Sequence, residues 1–220
     1  MSTAALPAIA SATAVLIAGV IVLAVYDAGP FSFHMTLHIA SMNIAAPLLG
    51  AILARLFFAR GARPAFLWAV TLVQIVVLWI WHAPVLQRTA QDSMVLQLFM
   101  HGSLFFVAML FWLVVLKMSG SRRWHAVPAL LLTGKLACLL AALLIFAPRT
   151  LYDSAVHLMH AVERLPVTDA LDDQHLAGLL MITACPLSYL VASVVIAAQI
   201  IGKPEAAQAA SPSRTLSTVS

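Results

Sequence analysis

Residues 34–42 read HMTLHIASM, with His34, His38 and Met42 at four-residue intervals and Met35 beside them. On a helix, positions i, i+4 and i+8 share one face. The three side chains then descend a single stripe over roughly 12 Å, at ~1.5 Å per residue. A second stripe lies in MVLQLFMH, where Met94, Gln97 and His101 recur at helical spacing. Neutral imidazole and thioether sulfur are borderline-to-soft donors, and a mixed His/Met set suits Cu(I) better than magnesium or calcium. Zinc also accepts imidazole, but more often in company with Cys or carboxylate. His34, His38, Met42 and His101 are therefore candidate metal ligands, with Met35, Met94 and Gln97 as accessory donors.

The segment DALDDQHLAGLLM (169–181) is the other polar run that enters an apolar stretch. Asp169, Asp172 or Asp173 can cap the helix that follows, since a carboxylate accepts the orphan amide bonds of a helix start. His175 is a fifth candidate ligand, Asp173 could orient a ligand histidine from behind, and Gln174 is an accessory group. His82, at the end of WIWH, is a further accessory donor. His157 and His160, with Met159 between them, read equally well as a solvated loop. Lys135 stands near the middle of an apolar run with no acid in any such run to pair with, so it must snorkel, meet carbonyls or face an anion on a partner. Cys138 and Cys185 lack a C-x-x-C context and read as small buried residues, with a transient thiolate copper site as the alternative. Pro186 predicts a kink. No Walker A, G-x-G-x-x-G or G-x-S-x-G motif gives hydrolase or nucleotide chemistry a foothold.

These side chains need elements to hold them, and composition says which. The chain has 220 residues, is 63% hydrophobic and is charged at only 9% of positions, so its natural solvent is lipid. A helix needs about 20 apolar residues to cross a hydrocarbon core. Six segments have that length, at about 6–25, 34–57, 65–83, 94–116, 126–147 and 174–201. Strand alternation is absent, and an open sheet facing lipid would leave backbone groups unsatisfied. The expected fold is all-α: a polytopic bundle of about six transmembrane helices forming one domain over 1–203. The first segment has no basic residue before it and no A-x-A site before the linker YDAGPFSF, so it reads as a retained helix. Residues 204–220, rich in Ala, Ser, Thr and Pro, read as a disordered cytoplasmic tail. No internal repeat supports an inverted-repeat transporter.

Lys and Arg in short loops mark the cytoplasmic side. Arg55, Arg60, Arg63, Lys117, Arg122, Arg123, Lys203 and Arg214 fall on one side of this arrangement, which places both termini in the cytoplasm. All the acids except Glu205 fall outside, and so do all the histidines except His125. The net charge of +4 thus follows from topology and gives no reason to expect nucleic acid as a partner.

The runs HMTLHIASMNIAAPLL, WHAPVLQRTA, LQLFMHGSLFFVAMLFW and LYD…DDQHLAGLLM, in that order, resemble the multi-span CtaG-type cytochrome c oxidase assembly family over roughly residues 31–200. The family's motif histidines match His34, His38, His82 and His101, and its last block matches Asp173, Gln174 and His175. Many members look seven-spanning, against six segments here. The resemblance implies a non-enzymatic protein of the bacterial inner membrane that helps to build a haem–copper oxidase, at the copper-loading stage. Its partners would be oxidase subunits or other assembly factors within membrane lipid. Copper, as transient Cu(I), is the expected cargo. Two other readings stay open: a haem-binding electron carrier using His38 and His101 as axial ligands, and a non-catalytic scaffold for oxidase subunits.

Overall fold

A computed structural model describes residues 29–56, 61–151 and 170–209, which are helical nearly throughout and contain no strand. Helix α1 (Pro30–Ala40) passes through a π turn (Ser41–Ala45) into α2 (Ala46–Leu56). Then come α3 (Pro64–Trp81), the short α4 (Pro84–Gln91), α5 (Met94–Lys117), a 3-10 turn (Gly120–His125), α6 (Ala126–Phe146) and α7 (Ala170–Ala209). Five stretches are long and apolar enough to cross a membrane: Phe31–Leu56, Pro64–Trp81, Met94–Lys117, Gly120–Phe146 and Ala170–Gly202. They correspond to the second to sixth apolar segments, and the chain is an all-helical membrane protein. The segment at 6–25, the loop histidines His157 and His160, and residues 210–220 lie outside the described residues.

Two boundaries differ from the sequence reading. PFSF belongs to α1 and is not linker, because Pro30 sits in the first helical turn, where its missing N–H has no intrahelical partner to lose. At the other end α7 runs through Ala209, past the domain boundary at 203. Lys, Glu, Gln and Ala in KPEAAQA are good helix formers, and their propensity carries the helix over Pro204. α7 also continues through Pro186 as one helix.

The five spans close into a ring: the π turn and α2 pack on α5, α5 on α3, α3 on α6, α6 on α7, and α7 back on α1. Gly50 permits the closest approach in the α2–α5 pair. A Cβ there would lie 3.1 Å from the Leu113 backbone nitrogen and 3.2 Å from the Met109 carbonyl oxygen. Membrane helices use such small residues to bring backbones together. A buried cluster that includes Met42, Ala46, Leu67, Met100, Phe111 and Leu140 fills the ring. Leu48, Ile52, Leu72, Phe106, Leu139 and Leu190 face outward, as lipid requires.

The ring has two unlike ends. Arg55, Arg63, Lys117, Arg122 and Arg123 gather at one, where the Ala62 N–H donates to the Lys117 carbonyl. At the other, α1 begins, α3 ends, α5 begins and the short α4 crosses between them.

Candidate metal centre

The histidine-bearing turn is positioned by its own N-terminus. An α-helix begins with backbone N–H groups that have no intrahelical acceptor, and α1 satisfies two of them with a side chain from α7. The Asp173 carboxylate accepts from the Phe31 N–H at 2.8 Å and from the Ser32 N–H at 3.0 Å. The Ser32 hydroxyl also contacts this carboxylate and the Asp173 carbonyl. The chain passes so close at Gly29 that a Cβ there would lie 2.3 Å from the Asp173 carboxyl carbon. Asp173 therefore caps α1, where the sequence suggested a cap for its own helix or a support for a ligand. Gln174 is likewise structural: its oxygen accepts from the Leu151 N–H at 2.7 Å, and its amide donates to the Leu144 carbonyl at 3.1 Å.

One turn below the cap, three imidazoles meet. The Nε2 atoms of His34 and His38 lie 2.9 Å apart. The His101 ring stacks on His38 with centroids 4.4 Å apart and planes 6° from parallel, and it meets His34 edge-on at 4.9 Å. One ring nitrogen from each of the three falls within 4.8 Å of the others. His34 and His38 of α1 thus meet His101 of α5. His101 Nδ1 donates to the Gln97 carbonyl at 2.8 Å, which leaves the Nε2 lone pair for the cluster. Gln97 thus meets the cluster through its backbone carbonyl.

His82, the residue closing α3, stands with its centroid 6.3 Å from that of His38. Its Nδ1 donates to the Leu78 carbonyl at 2.8 Å. Burial pushes the pKa of its imidazole below the ordinary value, against the opposing effect of that bond. Among the described residues, then, three histidines converge and a fourth stands by. Imidazole nitrogens at this spacing are donors of the kind that borderline and soft cations take.

The remaining candidates separate cleanly. Met35 and Met42 are buried and line a cavity of about 30 Å³ beneath His38. Met94 is 78% exposed at the first residue of α5 and turns away from the cluster. His175 is half-buried and is not one of the three converging histidines. The cause is angular: Asp173 faces α1, and two residues further on an α-helix is about 200° around it. Lys135 is on the exposed face of α6 near leucines Leu131, Leu132 and Leu139. Both cysteines are free thiols, Cys138 half-buried and Cys185 buried against the Asn43 amide, whose nitrogen is 3.5 Å from its Sγ.

Two contributors escaped the sequence reading. Gln87 on α4 is buried, with its amide nitrogen 3.4 Å from His34 Nε2. The signal was Pro84 in the first turn of a short amphipathic stretch, the mark of a helix crossing the mouth. Asn43 is the other: its oxygen accepts from the Ser188 hydroxyl at 2.8 Å, which ties the π turn to α7. The π turn is closed by the Ala46 N–H donating to the Ser41 carbonyl, and it turns both Met42 and Asn43 inward. Single π turns inside α-helices recur at functional sites.

A ring of membrane helices with a histidine cluster at one end and a basic rim at the other defines a polytopic membrane protein. Comparison with known families gives it a lineage: the model of the cytochrome c oxidase caa3 assembly factor family (Caa3_CtaG) matches residues 5–203. The chain belongs to that family. No curated protein and no solved structure is significantly similar to it.

Proposed function

We propose that this oxidase assembly factor holds Cu(I) between His34, His38 and His101 at the outer face of the bacterial inner membrane and passes it to a haem–copper oxidase subunit or another assembly factor. The observation that carries the reading is the convergence of three imidazole nitrogens within 4.8 Å on two helices whose register is fixed elsewhere. Imidazole suits copper, and a three-nitrogen site with no anionic ligand holds it without enclosing it. Delivery by ligand exchange needs that openness. The basic residues at the far end of the bundle support an outward-facing mouth and a cytoplasmic rim. No bond in a substrate is made or broken in this role.

His38 and His101 are in ring contact, an arrangement that favours an ion over haem, because a porphyrin needs an open slot between its axial imidazoles. The test is an anaerobic Cu(I) titration of the detergent-purified protein beside a His34→Ala/His38→Ala variant, with an absorption spectrum of each. The expected result is one copper retained by the native protein and at least about 100-fold weaker binding in the variant, beyond the 10–100-fold that loss of an outer-shell partner costs. Equal, negligible binding in both would overturn the proposal, and a Soret band would replace it with the haem reading.

A further inference from the structure

Beneath the three histidines lies the 30 Å³ cavity, enclosed by α1, α3, α6 and α7. Four of its twelve lining residues carry sulfur (Met35, Met42, Met181 and Cys185), against eleven methionines and cysteines in the whole chain of 220. Methionine commonly fills gaps in a core, so enrichment alone decides nothing. The imidazole in the same wall adds an independent observation.

His38 is only 5% exposed, and its Nδ1 is buried without a hydrogen-bond partner. Its Nε2 is engaged with His34 on the mouth side. A buried polar atom without a partner costs of order 1–3 kcal/mol unless something satisfies it. A water needs two to four polar partners and would find them among Asn43, His82, Thr133 and Tyr189 in the same wall, but it leaves the four sulfurs unused. A soft monovalent ion is a better occupant, because thioether sulfur and an imidazole lone pair are the donors it prefers. The volume, about that of one water, also fits a single ion. The π turn adds to the case by bringing Met42 and Asn43 to this cavity together, with the Asn43 amide orienting the Cys185 sulfur.

We propose that this cavity is a second, sulfur-rich station for Cu(I), reached from the histidine mouth by way of His38. The inference rests on the copper reading of the mouth and extends it inward. His38 is the pivot: its Nε2 serves the mouth and its Nδ1 serves the cavity. A neutral imidazole offers one lone pair at a time, so the ion occupies one station or the other. Movement between them is ligand exchange at constant oxidation state: bonds to His34, His101 and His38 Nε2 are released as bonds to Met42, Met181 and His38 Nδ1 form. The proton of His38 shifts from Nδ1 to Nε2 in the same event.

The test uses the full chain in detergent, Cu(I) as the probe, and copper X-ray absorption to count nitrogen and sulfur neighbours. In a His34→Ala/His101→Ala variant the expected result is one copper per chain, now with sulfur neighbours. Adding Met42→Leu and Met181→Leu, which keep volume and shape, should abolish that binding, while the two leucines alone leave a nitrogen-bound copper. Thermal melting confirms that each variant is folded. If the His34→Ala/His101→Ala variant binds no copper while the native protein binds it through nitrogen only, the second station is overturned and the mouth reading stands. If copper is bound through sulfur and is indifferent to His34 and His101, the mouth reading falls and the cavity stands. No binding to native protein overturns both.

Discussion

Two polar stretches enter the membrane from the same end, HMTLH on α1 and DDQH on α7, and they use their polarity in opposite ways. On α7 the polar atoms of Asp173 and Gln174 go to backbone groups: the first two amides of α1, the amide of Leu151 and the carbonyl of Leu144. On α1 the imidazole nitrogens of His34 and His38 face each other and His101. Asp173 and Gln174 hold helices in place, whereas the imidazoles bond chiefly to one another and to Gln87, and His38 Nδ1 has no partner. Where a buried polar group finds its partner in the backbone, stability explains it. The histidine cluster fixes no backbone group of another helix in this way.

The contrast can be broken most forcefully on the structural side. Asp173→Ala leaves two buried amides without acceptors, while the Ser32 hydroxyl keeps the Asp173 carbonyl, so a loss of about 3 kcal/mol is expected from the cap and its charge-assisted bonds. Denaturation in detergent measures it, and Asp173→Asn should recover part of the loss. Gly29→Ala should damage the same junction by steric conflict, and a melting temperature like that of the native protein would mean the close approach is dispensable. On the ligand side the order of effects reverses. His38→Ala should lower Cu(I) affinity by more than about 100-fold, exceeding the loss from an outer-shell partner, with little change in the melting curve. Gln87→Leu removes a neighbour of His34 and should weaken copper binding by about tenfold. The smallest effect belongs to His175→Ala, expected to stay within about twofold because its ring lies on another side of α7. A large loss there would restore α7 to the ligand set.

What could be read from the sequence follows from range. Apolar length alone located the described spans, since lipid acts on each helix separately. Helical spacing put His34, His38 and Met42 on one stripe and Met94, Gln97 and His101 on another, with His101 expected near the depth of Met42, whereas its ring stacks on His38 one turn higher. Depth does not say which face turns inward, and so Met94, on the same stripe as His101, is exposed. The role of Asp173 was hidden for a different reason. A carboxylate before an apolar run signals a cap, but nothing local says whose amides it will accept. Gln87 and Asn43 are ordinary polar residues by type, and only a short helix across the mouth and a π turn give them a purpose.

The cap on α1 also has a consequence in time. Its acceptor lies 141 and 142 residues further along the chain than the amides it serves. During synthesis the helix carrying His34 and His38 enters the membrane long before its anchor is made. A nascent chain has the histidines without the register that gathers them, so the three imidazoles come together only once the last helix is seated.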